Sequence, residues 1–290
     1  MIQDIFPHRF NNQYLANQRM NEADWVFHFR GNELLVKIEG NTVVLPQRKD
    51  FPELSEQTPA TFLFQLNERS CFLITNLREN SQEGLEYKDM SFFRTIDQPE
   101  VAWVAVAAFQ LKNWYALNKF CGQCGSPTKH KTDERALMCP ACKTVFFPKI
   151  SPAIIVAILS NDKILLARNA SFTGNRFALI AGYVDVGETI EQAVRREIKE
   201  EVGLSVTNIR YYDSQPWPLS GSLMIGFIAE ADEEQPIVID NKEIVEAGWF
   251  SRGNLPNHPN TSSIAGELIA RFERGELLSQ SFCPTEEQMR

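Results

Sequence analysis

The chain has 290 residues, 43% of them hydrophobic and 23% charged, the composition of a soluble globular protein with length for about two ordinary domains. Its net charge of −8 and pI near 5.2 exclude a chain built for broad non-specific binding to nucleic acid or to an anionic membrane, while allowing a local basic patch. Residues 1–20 show no apolar core flanked by positive charge, and the most apolar runs, 101–109 and 153–159, are well short of a membrane span, so a cytoplasmic protein is expected. Six cysteines, four of them in two C-x2-C pairs, suit a reducing compartment and a metal site better than a disulfide framework; Cys71 and Cys283 have no matching partners.

Residues 1–98 read as a mainly β domain. Apolar runs at 25–30 and 33–38 flank Gly31-Asn32 as a hairpin, and 42–45, 61–66 and 71–75 are further short strands. Asp97-Gln98-Pro99-Glu100 then opens a helix through 101–118, with Pro99 in its first turn and Val101, Val104, Ala105, Ala108, Leu111 and Trp114 as its apolar stripe. This connecting helix, 99–120, leads to Cys121-Gly-Gln-Cys124, fourteen residues, and Cys139-Pro-Ala-Cys142. Two such turns supply the four thiolates of a closed tetrahedral zinc site, which folds its module, 121–147, and performs no chemistry. Lys129, Lys131, Lys143 and Lys149 make the module locally basic, as either a solvated surface or a phosphate-attracting one.

From residue 148 strand and helix alternate. Strands are predicted at 153–159 and 163–167 around the turn Ser160-Asn-Asp162, then at 177–181, 204–212, 223–231 and 249–250, with a last helix over 263–274. That order implies an α/β/α sandwich with a mixed sheet over 148–274, followed by a mobile tail at 275–290.

Within this domain, residues 182–204 run Gly182-x5-Glu188-x7-Arg196-Glu197-Ile-Lys-Glu200-Glu201-Val-Gly203-Leu204. Thr189 and Gln192 form a capping box, Gly203 supplies the left-handed residue after a helix, and Ile190, Ala193, Val194 and Ile198 form its buried stripe. Glu197, Glu200 and Glu201 stand at i, i+3 and i+4, where like charges destabilise a helix unless a hard divalent cation such as Mg²⁺ or Mn²⁺ draws on their oxygens. Arg196 is placed to orient one of these carboxylates, and Gly182 and Gly187 let the incoming loop turn tightly.

With every fixed position filled, this pattern resembles the Nudix box of the Nudix hydrolases. The resemblance implies a loop–helix–loop that holds divalent metal and hydrolyses a nucleoside diphosphate linked to another moiety. Beyond it the chain reads Ser214-Gln215-Pro216-Trp217-Pro218-Leu219-Ser220-Gly221-Ser222-Leu223-Met224. Taken alone, this is a stiff loop whose tryptophan either reads a base or plugs a core gap. Box, four-cysteine ribbon and loop together resemble the NADH pyrophosphatase subfamily, which includes enzymes that remove NAD caps from RNA. The subfamily loop runs Ser-Gln-Pro-Trp-Pro-Phe-Pro-x-Ser; Leu219 and Ser220 depart from it, which bears on substrate choice more than on reaction type.

The resemblance implies further roles residue by residue. Glu197, Glu200, Glu201 and Glu246, with the Ala181 carbonyl, are expected metal ligands; Arg196, Glu197, Glu200 and Glu201 are expected in catalysis, with either Glu200 or Glu201 as base. Arg94, Glu134, Phe147, Tyr183, Gln215, Pro216, Trp217, Pro218, Ser222, Met224 and Ala265 are expected substrate contacts, Phe147 reaching the site of a neighbouring subunit in a homodimer. The implied reaction is metal-dependent hydrolysis of NADH or NAD⁺ to AMP and a nicotinamide mononucleotide, or removal of NAD caps from RNA. The rival readings are a hydrolase of ADP-ribose, diadenosine polyphosphate or FAD, and a non-catalytic nucleotide sensor that binds nucleic acid.

Overall fold

The computed structural model describes residues 1–55, 57–77, 84–171 and 174–277, which form two compact units; the tail from 278, including Cys283, lies outside them. Of the described residues, the first unit takes in those within 2–150 together with 218–221, and the second takes in those within 151–217 and 222–277, with Met1.

In the first unit one sequence run serves two sheets. The stretch expected as a single strand over 25–30 breaks at His28. Trp25–Phe27 pairs in parallel with Cys71–Leu73, whereas Phe29–Arg30 pairs antiparallel with Glu33 and Leu34 across the predicted Gly31-Asn32 hairpin. Each sheet has four strands. The first runs Phe10–Asn11, Thr61–Leu66, Arg69–Leu73, Trp25–Phe27; in the second, Glu33–Glu39 carries Phe29–Arg30, Thr42–Val44 and Leu85–Asp89. Leu85–Asp89 is a further strand absent from the sequence reading; Leu85 and Tyr87 do alternate with Glu86 and Lys88, but two apolar residues make a short signal.

The helix Pro99–Leu117 begins where expected, with Pro99 in its first turn, but it is not a one-faced connector. Ala102, Trp103 and Val106 are buried as fully as Val101, Val104 and Ala105, so its first half is enclosed on all sides, as an all-round apolar helix must be. Beyond it a three-stranded ribbon sheet, Lys129–His130, Leu137–Met138 and Val145–Phe146, supports the cysteines.

The second unit is a six-stranded mixed sheet between two helices. Its central strand, Ser151–Ser160, pairs in parallel with Ser222–Glu230 along nine residue pairs, antiparallel with Ile180–Tyr183 over its first half, and antiparallel with Lys163–Asn169 at its end. Thr207–Trp217 and Ile244–Ser251 complete the sheet as its two edges. Alternation along the central strand divides the core: Ile155, Ala157 and Leu159 pack with the last helix, Ile264–Glu273, and Ile154, Val156 and Ile158 pack with the helix Ile190–Val202. This is the α/β/α arrangement expected from the element order. Among the described residues no helix is long and apolar enough to cross a membrane.

Candidate active site

The helix Ile190–Val202 is held at both ends by the chemistry read from its sequence. The Thr189 hydroxyl accepts from the Gln192 amide (3.2 Å) while the Gln192 side chain accepts from the Thr189 amide (2.7 Å). Gly203 follows with φ +74°, and a Cβ there would press on Val238 at 2.9 Å, so glycine is required for both conformation and space. Ala193, Val194, Ile198 and Val202 face the core, which leaves Arg196, Glu197 and Glu200 on the other side and sets Glu201 at the boundary.

Gly182 determines where Glu197 lies. A Cβ built at Gly182 would overlap the Glu197 carboxyl group, so the missing side chain is what admits that carboxylate against the strand Ile180–Tyr183. Arg196 gathers the acids around it. Its Nε and Nη2 donate to the two oxygens of Glu188 at 3.0 and 2.5 Å, Nη1 donates to Glu197 (2.8 Å) and Glu200 (3.1 Å), and Nη2 also reaches the Tyr183 carbonyl (3.0 Å). This planar fork holds the Glu188 carboxyl down at about 2. Glu188 in turn accepts from the Asp185 amide (2.7 Å), closing the loop that enters the helix.

Glu201 differs from its neighbours. Only 6% exposed, it is pushed up to about 8, first by burial and then by the like charges of Glu197, Glu243, Asp240 and Glu200. Burial also raises Glu197, against the pull of Arg196. Sequence reasoning missed the contribution of Asp240 and Glu243. The Asp240 carboxylate accepts from the amides of Lys242, Glu243 and Ile244, winding the chain into a tight turn, and its own amide donates to the Glu201 carbonyl. An aspartate heading Asn-Lys-Glu was the available signal.

These carboxylates are of the type that suits a hard divalent cation, but among the described residues only the four cysteines bring their ligand atoms within 4.8 Å of one another; Arg196 holds Glu197 and Glu200 instead. The other two expected ligands are placed differently. Ala181 sits opposite Ile155 in the ladder, within the same strand as Gly182. Glu246 lies opposite Arg168, whose Nε and Nη2 both reach one of its carboxylate oxygens at 3.1 Å.

The expected substrate contacts divide between the units. Arg94, at the end of a 3-10 turn, Glu134, which pairs with Lys131 at 2.5 Å, and Phe147, 58% exposed, belong to the first. Tyr183 belongs to the second; its ring is half exposed and its hydroxyl stands 3.2 Å from that of Ser222. The stretch expected as a loop is instead a hairpin. Ser214–Trp217 extends the edge strand, with Gln215, Pro216 and Trp217 opposite Met224, Leu223 and Ser222, and only residues 218–221 turn, the Gly221 amide donating to the Pro218 carbonyl. Pro216 is exposed, Trp217 and Met224 are half-buried, and Pro218 and Ala265 are buried.

Gln215, an expected contact, also ties two elements of the second unit together. Its side chain is fully buried; Oε1 accepts from the Ile264 amide (2.8 Å) and Nε2 donates to the Ser262 carbonyl (3.0 Å), so it fixes the start of the last helix. An inward-facing strand position spends the side-chain amide on backbone groups that burial would otherwise leave unpaired.

In the ribbon the four sulfurs draw together. Sγ separations of 3.5 Å (Cys121 to Cys142), 3.5 Å (Cys124 to Cys139) and 3.6 Å (Cys124 to Cys142) approach the about 3.8 Å edge of a tetrahedron with Zn–S bonds of about 2.3 Å. The turns are matched: Gly125 donates to the Cys121 carbonyl and Lys143 to that of Cys139, each with positive φ. Glycine meets that demand in the first turn and a lysine in the second.

Comparison with known proteins agrees with this geometry along the chain. Residues 149–272 match the NUDIX domain, 116–147 the NADH pyrophosphatase zinc ribbon domain, and 23–114 the NADH pyrophosphatase-like rudimentary NUDIX domain. The chain belongs to the NUDIX hydrolase family, in its NADH pyrophosphatase subfamily. A protein of Citrobacter koseri named NAD-capped RNA hydrolase NudC is 44% identical over 183 residues, covering 62% of this chain and 71% of that one. Its namesake in Salmonella heidelberg is 47% identical over 160 residues, 55% of this chain and 62% of its own. Among solved structures, a NUDIX hydrolase from Nitrosomonas europaea aligns with 54% of this chain and 90% of its own at 22% identity and a TM-score of 0.46.

Proposed function

We propose that the protein hydrolyses the pyrophosphate of NADH or NAD⁺ to AMP and a nicotinamide mononucleotide, and that it also removes NAD caps from RNA 5′ ends. The observation that carries this reading is the carboxylate group gathered by Arg196 against Gly182, in a chain that also has the ribbon and the N-terminal domain of the subfamily. The names of the relatives support the substrate.

In this reading Glu197, Glu200, Glu201 and Glu246, with the Ala181 carbonyl, hold Mg²⁺ or Mn²⁺, and Cys121, Cys124, Cys139 and Cys142 hold a structural Zn²⁺. The catalytic cation, when bound, neutralises charge on the phosphates and lowers the pKa of a water. Arg196 positions Glu197 and Glu200 by its fork, and Glu188 anchors Arg196. The proton of the attacking water passes to Glu200 or Glu201. Tyr183 offers a ring face and Ser222 holds its hydroxyl. Pro216, Trp217, Pro218 and Met224 form the hairpin wall, with Ala265, Arg94 and Glu134 as further contacts. Phe147, exposed in a single chain, completes the site of a second copy in a homodimer. Gln215 supports this wall by fixing the start of the last helix.

Product analysis tests the reading: purified protein is incubated with NADH and Mn²⁺ or Mg²⁺, beside Glu201→Gln and a chelator control. AMP and reduced nicotinamide mononucleotide are expected from the wild type and nearly absent from both controls. NADH surviving intact while ADP-ribose is cleaved would move the substrate assignment to another nucleoside diphosphate, an outcome the altered Leu219-Ser220 turn makes worth testing directly.

A further inference from the structure

The first unit contains a cavity of about 360 Å³, at the lower end of the about 300–1,000 Å³ typical of small-molecule sites. It lies in residues that the proposed hydrolysis does not use. Its wall combines strand residues such as Phe29 and Thr61, the end of the helix Pro99–Leu117 and the first strand of the ribbon. Lys112, Tyr115, Ala116 and Lys119 line it at i, i+3, i+4 and i+7, one face of the helix and its continuation.

Three features of the lining point to one class of ligand. First, it contains two lysines and no carboxylate, in a chain of net charge −8. Lys112 is partly desolvated, and its ammonium meets neutral partners, the Gly31 carbonyl at 2.7 Å, Asn113 Oδ1 at 3.1 Å and the Phe109 and Phe29 rings at 5.1 and 5.6 Å, but no carboxylate. The Lys119 ammonium makes no ion pair or hydrogen bond within the described residues. A charge held in a partly desolvated wall without a counter-charge is stabilised by an anion. A cation past the end of a helix also suits the helix dipole, which accounts for Lys119 but not for Lys112, more than a turn inside. Second, the Tyr115 and His130 rings pack against each other, centroids 5.0 Å apart and planes inclined by 33°, and both line the cavity, where a further ring can add to the pair. Third, Thr61 and Thr128 line the same wall; the Thr128 hydroxyl donates to the Asn118 carbonyl at 2.6 Å, which leaves its oxygen as an acceptor.

We propose that this cavity is a second nucleotide site, binding a nucleoside monophosphate with its phosphate at Lys112 and Lys119 and its base on Tyr115 and His130. The site is independent of the hydrolytic one. If the proposed reaction holds, its product AMP is of the class that this cavity takes.

Photo-cross-linking of the full chain with 8-azido-AMP, in chelator so that hydrolysis does not enter, followed by peptide mapping, locates the site. Labelling is expected on the segment 112–130, competed by AMP and weakened about tenfold or more in Lys112→Met/Lys119→Met, which loses two charge-assisted contacts. That variant should still hydrolyse NADH at the wild-type rate, which verifies its fold. Labels confined to residues 183–224, or labelling of 112–130 indifferent to both lysines, would overturn the proposal even if hydrolysis is fully as proposed. Competition by inorganic phosphate equal to that by AMP would overturn the nucleoside part, leaving a simple anion site.

Discussion

Replacing Gly182 by alanine tests the site at the point where the backbone and a carboxylate compete for the same space. The new Cβ falls on the Glu197 carboxyl group, so one of the two must move. The strand is the less yielding partner, since Gly182 lies within four consecutive ladder pairs, from Ala153–Tyr183 to Val156–Ile180. Glu197 therefore swings away and loses the 2.8 Å bond from Arg196. A hydrogen bond to a charged group contributes about 1.5–3 kcal/mol, and overpacking adds a cost of about 1–3 kcal/mol. Relief of crowding among the acids offsets part of this, so the expected loss of stability is about 2 kcal/mol. The loss of activity is larger, because a carboxylate displaced by about 1 Å costs about a hundredfold in turnover. The assay pairs kcat for NADH across an Mn²⁺ titration with urea unfolding in chelator. A fall in kcat of about a hundredfold that excess Mn²⁺ does not restore, with a folded protein, is the expected result. Turnover within about threefold of wild type would refute the argument that Gly182 exists to seat Glu197.

Four other outcomes follow from the same geometry. Glu188 is held at about 2 by Arg196, so the stability it contributes is present above the ordinary carboxylate range and lost as pH falls toward 2; Arg196→Lys should shift the acid-unfolding midpoint upward with little change in slope at pH 7 to 8. Glu201 has the opposite sign. Its folded value, about 8 without metal, lies above the unfolded one, so metal-free protein should lose stability as pH rises from about 4.5 to 8, and Glu201→Gln should flatten that slope in thermal melts. Gln215→Leu should lower stability by about 2–3 kcal/mol by leaving the Ile264 amide and Ser262 carbonyl unpaired, while KM for NADH changes little; a raised KM at unchanged stability would return Gln215 to the substrate. Elemental analysis should find one zinc per chain, lost in Cys142→Ser with melting of the ribbon.

Much of the molecule was legible in the linear chain because it depends on local chemistry. The helix Ile190–Val202 carries its own caps and stripe, so its ends and its buried face follow from residues no more than four apart. The cysteine turns are equally local, since each fixes two thiolates by its own backbone geometry. The order of strands and helices from residue 148 implied a sandwich, and the two faces of the strand Ser151–Ser160 do serve two helices. Tertiary structure decided what depends on distant neighbours. Nothing local in residues 25–30 says that the run changes sheets at His28, because the partners lie at Cys71 and at Glu33. The sequence local to Gln215 does not say that its side chain caps the last helix, forty-nine residues away. Likewise Glu201, one acid among three in the sequence, owes its raised pKa to burial and to Asp240 and Glu243, which only folding brings near. Hydrogen-bonding capacity and charge are written in residue types, but desolvation and the identity of a partner are properties of the packed chain.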